Sequence, residues 1–325
     1  EGILTDIADR YEVDWWACTL EVCLKTNVDY EVHIPAGAQS WLSVADTRAT
    51  VREDTLTFGV AENPEDSPER TAVVELVNNC GEVLQSFEIV QKIQPSSDPI
   101  QFADEYVKKV CVEKFDTNGD GELSYSEASR VTSIGENFFG DYAIEVKTFD
   151  ELQYFVNVTS IGFSAFSDCS SLTNITIPDG VMSIGGSAFS GCSSLTSITI
   201  PESVTSIGGW AFSRCSSLTS ITIPEGVTSV ENYTFSDCSR LTSMTIPESV
   251  TAIGSGVFSD CSSLTSITIP EGVMSIGERA FEGCSSLTSI TIPESVTSIG
   301  GYTFFNCSNL TSITIPEGVT SIGQW

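Results

Sequence analysis

The sequence predicts an α+β multidomain chain. A β-sandwich fills residues 1–94, a short helical linker with a cation-binding loop fills 95–130, and a solenoid fills 131–325. Three observations carry that division. Residues 17–94 hold short period-two apolar runs separated by turn residues. Residues Asp116–Glu127 read DTNGDGELSYSE, an oxygen-donor loop with glycine at its turn. From Ile161 onward a 23-residue unit recurs with Cys169, Cys192, Cys215, Cys238, Cys261, Cys284 and Cys307 in strict register. A fixed period of that length is the signature of stacked repeats.

Composition narrows the partners. With 44 acidic and 14 basic residues the chain carries a net charge of -30, and 41% hydrophobic content is ordinary for a folded protein. A field so negative argues against nucleic acid and anionic membrane, which both recruit clustered Lys and Arg. Cations, basic proteins and neutral glycans remain. No run is long and apolar enough for a membrane-spanning helix. The chain opens on Glu1 without an apolar leader, so any export signal is expected upstream.

In the first segment, alternating sets share one face each: Leu20, Val22 and Leu24; Tyr30, Val32 and Ile34; Leu56, Phe58 and Val60; Ala72, Val74 and Leu76; Phe87 and Ile89. Such a pattern predicts an antiparallel sandwich, with a hairpin at Asn78-Asn79-Cys80-Gly81. The residues NVDYEV, SWLSV, DTLTFGVAEN, ERTAVVEL and EVLQSFEIVQK, in that order, resemble the BACON domain. That resemblance implies an immunoglobulin-like sandwich of exported gut-bacterial proteins, either carbohydrate-binding or a spacer. It departs at Trp15, Trp16 and Cys18, which stand where small residues are usual. His33, the only histidine, has no nucleophile or second ligand at motif spacing and is expected on the surface.

Pro95-Ser96-Ser97-Asp98-Pro99 reads as a linker, followed by Phe102, Tyr106, Val107, Val110 and Phe115 at helical spacing. The loop that follows matches an EF-hand at each diagnostic position. A hard cation such as Ca2+ takes six to eight oxygens, so the chain must wrap around it. Asp116, Asn118 and Asp120 offer side-chain oxygens, Glu122 a backbone carbonyl, Ser124 a direct or water-borne contact, and Glu127 a closing carboxylate. Gly121 permits the sharp turn. One loop without a paired partner predicts a structural Ca2+ that fixes the junction between domains, rather than a sensor.

The VTSIG at Val131 already copies later repeats, and the next follows after 27 residues instead of 23, so 131–160 is expected to cap the solenoid. Thr148 and Glu151 within it are spaced as a capping box for a short helix. The repeat itself, CxxLxxIxIPxxVxxIGxxAF, resembles the BspA-like leucine-rich repeat family over 158–325. With the BACON-like and EF-hand segments, this resembles exported surface lipoproteins of gut bacteria, which implies a cell-surface location, an upstream lipid anchor and adhesion. The position that usually holds an asparagine ladder alternates Gly180, Ser203, Gly226, Ser249, Gly272, Ser295 and Gly318, as if two-repeat units had been copied.

Stacking turns each repeat position into a column with steps of about 4.8 Å. The cysteine column is expected as buried thiols, because parallel Cβ vectors disfavour the disulfide dihedral. Asp179, Glu202, Glu225, Glu248, Glu271, Glu294 and Glu317 form an acidic column, expected as a solvated edge. The column before the Ala-Phe pair varies and returns to aromatics: Phe163, Ser187, Trp210, Tyr233, Gly256, Arg279, Tyr302 and Trp325. Aromatic rings there suit sugar stacking or protein anchoring, or else shield the core. Phe163, Trp210, Tyr233, Tyr302 and Trp325 are therefore the candidate ligand-binding residues.

No nucleophile–base pair or catalytic metal set can be assembled, so the chain reads as a non-enzyme. The expected function is a cell-surface adhesin, located on the outer surface of a bacterium, whose solenoid binds a host matrix protein, mucin, glycan or another bacterial surface. The alternative is a non-binding stalk that displays another module. Beyond Lys147 only Arg214, Arg240 and Arg279 offer basic cleavage sites, which predicts resistance to trypsin-like proteases.

Overall fold

A computed structural model describes the backbone of residues 4–5, 7–13, 18–26, 31–50, 53–61, 69–77, 82–91 and 96–324. The chain divides into two compact units, Glu1–Ser96 and Ser97–Trp325.

The first unit contains eight described strands: β1 (Leu4–Thr5), β2 (Arg10–Val13), β3 (Cys18–Thr26), β4 (Glu31–His33), β5 (Leu42–Thr50), β6 (Glu53–Val60), β7 (Arg70–Val77) and β8 (Val83–Gln91). They form two sheets, ordered β1-β3-β6-β5 and β2-β8-β7-β4. All pairs are antiparallel except β2 with β8. Alternation decides which side chains meet. Val22, Leu56, Phe58 and Val60 from one sheet and Ala72, Val74, Leu76, Phe87 and Ile89 from the other share one core. Trp41 closes it, with the Arg70 guanidinium 4.9 Å over its ring. His33 is exposed, as expected of a lone surface histidine. The hairpin turn at 78–81, Trp15, Trp16 and the Cys18 side chain lie outside the described residues.

The segment that composition marks as a linker does not behave as one. Residues 97–130 pack with the repeats in a single core that includes Ile100, Val107, Val110, Cys111, Leu123 and Ala128. Helix α1 (Glu105–Phe115) starts at Asp104, whose carboxylate accepts from the backbone of Tyr106 and Val107. The other Asp104 oxygen accepts from Lys147 N, tying the helix start to the first solenoid turn. Phe115 then stacks on Phe138 at 5.8 Å and meets Phe155 edge-on at 5.8 Å. The helical spacing of apolar residues here is the sign of a cap, not a tether.

The first turn of the solenoid is the longer one. Ser133–Ile134 pairs in parallel with Ser160–Ile161, and Thr148–Phe149 with Asn174–Ile175. The capping box expected from Thr148 and Glu151 does not form. Thr148 donates to Asp150, and Glu151 Oε1 accepts instead from Ala103 N at 2.8 Å. The pull of the preceding segment outweighs the local motif.

Thereafter partners lie 23 residues apart, as in Ser183↔Ser206 and Ser275↔Ser298. A second short parallel ladder joins Ser243–Thr245 to Ser266–Thr268. Between them runs a spine of stacked rings: Phe189, Phe212, Phe235, Phe258, Phe281 and Phe304, with successive centroids 5.3–5.9 Å apart. The repeat cysteines are buried, and each thiol from Cys192 to Cys307 donates to the Phe carbonyl of the preceding repeat at 3.1–3.2 Å. The column that usually carries asparagine works at every second step. Ser203, Ser249 and Ser295 donate to Val181, Val227 and Val273 carbonyls at 2.6–2.7 Å.

Candidate functional site

The strongest motif lies between α1 and α2 (Tyr125–Ala128). Gly119 and Gly121 take φ of +76° and +84°, the left-handed region that glycine enters at no steric cost. Asp116 receives Gly119 N at 2.6 Å and Gly121 N at 3.0 Å, while Asn118 and Asp120 accept from Asp120 N and Glu122 N at 2.8 Å each. Leu123 is buried and its carbonyl accepts from Ile100 N. The Glu122 carboxylate leaves the loop to pair with Lys108 at 2.6 Å, which frees only its backbone for a cation.

Glu127 occupies the loop's interior. One oxygen accepts from Thr117 N, Thr117 Oγ1 and Asn118 N, the other from Ser124 N and Oγ, and Ser124 caps α2 in return. Partial burial pushes its pKa up, but the backbone and hydroxyl donors of Ser124 and Thr117 outweigh that and hold it down to about 2. The donors fit a hard cation in kind: hard oxygens on a loop already wrapped by its two glycines. Their arrangement is different. Among the described residues no three acidic, His or Cys groups converge on one point, because the carboxylates are spent on loop amides.

The variable column sits on the turn side of each repeat, in an unusual backbone conformation. Ser164, Ser187, Trp210, Tyr233, Arg279 and Tyr302 have φ between 51° and 59°, and Gly256 has φ 60°. Each donates its N–H to the next repeat, for example Trp210 N to Asn232 O at 2.9 Å and Tyr233 N to Ser255 O at 2.8 Å. This register corrects one residue of the expected column. The equivalent position in the first copy is Ser164, and Phe163 stands one step earlier, beside the column of Gly186 and Gly209. Phe163 is 57% exposed and its ring edge lies over Gly186.

Of the remaining candidates, the structure brings two together. Trp210 and Tyr233 stack at 5.1 Å with planes 14° apart, and Trp210 is 48% exposed. Tyr302 is separate, held edge-on by Phe305 at 5.9 Å and covered by the Arg279 guanidinium at 5.2 Å. Arg279 is itself occupied by Glu278 and Glu282. Trp325 lies outside the described residues. The acidic column from Asp179 to Glu317 is exposed throughout.

A second left-handed column escaped the reading of the sequence: Asp168, Gly191, Arg214, Asp237, Asp260, Gly283 and Asn306, with φ of 57–76°. The signal was available, since Asp, Asn and Gly recurring at one repeat position mark positive φ. Arg214 is the exception in it.

The profile of the BspA type leucine-rich repeat region matches residues 132–261 and 228–325, more than half of the chain. The chain belongs to the BspA-type leucine-rich repeat family. Proteins of this family are generally adhesion or binding proteins of bacterial surfaces and are not generally enzymes. Among solved structures, a leucine-rich repeat protein of T. pallidum is 36% identical over 48% of this chain and 72% of its own, with a TM-score of 0.46. A leucine-rich cell surface protein of Faecalibacterium prausnitzii is 26% identical over 61% of this chain and 84% of its own, with a TM-score of 0.26. The pneumococcal vaccine antigen PcpA is 20% identical over 72% of this chain and 65% of its own, with a TM-score of 0.43. None of the curated proteins matches. No described helix of this BspA-type protein is long and apolar enough to cross a membrane.

Proposed function

We propose that this BspA-type protein is an exported adhesin whose solenoid binds a macromolecular partner at a surface. One observation carries the reading. Where nearly every repeat column is uniform, the turn-side column departs from Ser and Gly to stack an exposed Trp210 on a half-buried Tyr233. Bulky residues in left-handed backbone cost about 1–2 kcal/mol each, and the same column shows that Ser and Gly satisfy the fold. A stalk would gain nothing from that expense.

In this reading Ca2+ is structural. Asp116, Asn118, Asp120, the Glu122 carbonyl, Ser124 and Glu127 would hold it, and it would supply a rigid link between α1 and α2 at the head of the solenoid. The loop belongs to the second unit, so the packing of α1 and α2 on the solenoid is the first thing the ion would brace. The first unit is read as a BACON-like, immunoglobulin-like module.

The test is capture of matrix proteins, mucin and glycans by the full chain, with Ca2+ and with chelator. Saturable binding that Trp210→Ser weakens supports the adhesin. Absence of binding across all three classes would leave a stalk.

A further inference from the structure

We infer that the ligand is a neutral glycan, seated across the repeats of Trp210 and Tyr233, which carry both an aromatic stack and a polar groove. This rests on the binding reading above and narrows it to one class of partner.

The groove has a volume of about 460 Å³ and is lined by Gly191, Ser193, Arg214, Ser216, Asp237 and Ser239. It therefore crosses three successive repeats, a span of about 10 Å. Arg214 follows Trp210, and Asp237 follows Tyr233, by four residues in the same turns. The polar and aromatic features thus occupy the same repeats.

The residue choices in the groove are not those the backbone prefers. Asp, Asn or Gly fills every other position of Arg214's column, and these tolerate positive φ where arginine does not. Among the described residues Arg214 makes no ion pair, although the chain holds 44 acids, whereas Arg279 is paired with Glu278 and Glu282. An arginine held at a strained position with its guanidinium free is poised for a partner outside the chain.

Chemistry then selects the partner. Arg214 offers a planar fork of donors, and Asp237 offers two acceptor oxygens. Ser193 and Ser239 spend their hydroxyl protons on the Ser170 and Ser216 carbonyls at 3.4 Å each, so they turn only lone pairs outward. The groove thus sets the Arg214 donors and the Ser216 hydroxyl beside the Asp237, Ser193 and Ser239 acceptors, a mixture that fits the hydroxyl groups of a sugar, which both donate and accept. Asp168 lies across Gly191, its Oδ1 only 2.4 Å from where a Cβ would stand, so a second carboxylate borders the same groove. With two carboxylates to one lined guanidinium, and -30 overall, an acidic sugar is repelled. The C–H face of a pyranose packs on the Trp210–Tyr233 stack, as neutral rings do on aromatic faces.

The experiment is calorimetric titration of the full chain with lacto-N-tetraose, cellopentaose and mannopentaose, with sialylated lacto-N-tetraose and sulfated cellopentaose as charged controls. Trp210→Ser and Arg214→Asn introduce residues that the same columns already hold at Ser187 and Asn306, so both variants should fold. Each is expected to weaken neutral-sugar binding by about tenfold, with an unfolding midpoint equal to or above the parent's. The inference is overturned if either variant binds as the parent does, or if the charged sugars bind more tightly. Retention of a matrix protein without any neutral sugar also overturns it while leaving the adhesin standing. Retention of nothing removes both.

Discussion

The ring of Tyr233 lies where a side chain on Gly256 would begin: a Cβ on residue 256 would stand 2.2 Å from Tyr233 Cε1. The same relation recurs between Phe163 and Gly186, Asp168 and Gly191, and Asp260 and Gly283. In each case a side chain is laid over the next repeat, and glycine marks the place it covers. Gly256→Ala should therefore cost more than the about 1–2 kcal/mol of left-handed strain alone. In a Tyr233→Ser background the clash is gone and only the strain remains. Denaturant unfolding of the four members of this cycle reads the coupling. An equal cost in both backgrounds would show that the ring does not rest on residue 256.

The thiol ladder predicts an alkaline limit. Burial, with a small push from Asp168, raises Cys169 from 9.0 to about 12, and burial raises Cys307 to about 11. Cys192, Cys215, Cys238 and Cys261 are likewise held well above 9.0, burial again the main cause. A raised folded pKa means the stabilising difference is intact below pH 9.0 and is lost as the pH climbs through the folded values. The unfolding midpoint should hold from pH 7 to about 9 and then fall steadily. Native repeat cysteines should resist iodoacetamide at pH 8 and react once denatured. Rapid alkylation of the folded chain would contradict the ladder.

Residues 97–130 should be indispensable to the solenoid. Removing them uncovers Phe138 and Phe155 and discards buried Val107, Val110 and Leu123, each worth about 1.5–3 kcal/mol of burial. A fragment of 97–325 is expected to unfold cooperatively, while 131–325 should melt lower or aggregate. Equal midpoints for the two fragments would return the segment to the status of a linker.

The solenoid was legible because stacking repeats itself: one buried face, one period, and identical residues at each step. Val22, Phe58, Val74 and Phe87 were legible for a similar reason, since alternation alone assigns a strand's inner face. The cap was read as a linker because Pro and Ser around position 97 mask the fact that α1's apolar face needs a partner. Local spacing misled at Glu151, whose carboxylate answers Ala103 rather than Thr148. The aromatic column slipped by one at Phe163 because the first copy is an irregular match to the later ones. Neither Trp210 nor Arg214 advertises positive φ by itself, and for Arg214 only the Asp, Asn and Gly of its column carried the signal.

Glu127 joins the last prediction, because its carboxylate serves the capping box now and would serve a cation when one binds. Its pKa lies at about 2 against an ordinary 4.5. A depressed carboxylate contributes stability that is present above pH 4.5 and is lost as the pH falls toward 2. Glu127→Gln can still close a capping box, whereas Glu127→Ala cannot, and the latter should lose about 0.5–2 kcal/mol at neutral pH. Calcium separates the two roles. At a hundredfold excess over its dissociation constant, the ion should stabilise the parent by about 2.7 kcal/mol. Glutamine offers one oxygen where the site needs a bidentate carboxylate, so Glu127→Gln should show little of that gain and a flatter acid limb. Thermal unfolding of parent and variants, in Ca2+ and in chelator, from pH 3 to 7, measures both effects. If Ca2+ shifts the parent and Glu127→Gln equally, Glu127 is a cap alone and the cation is held by other groups.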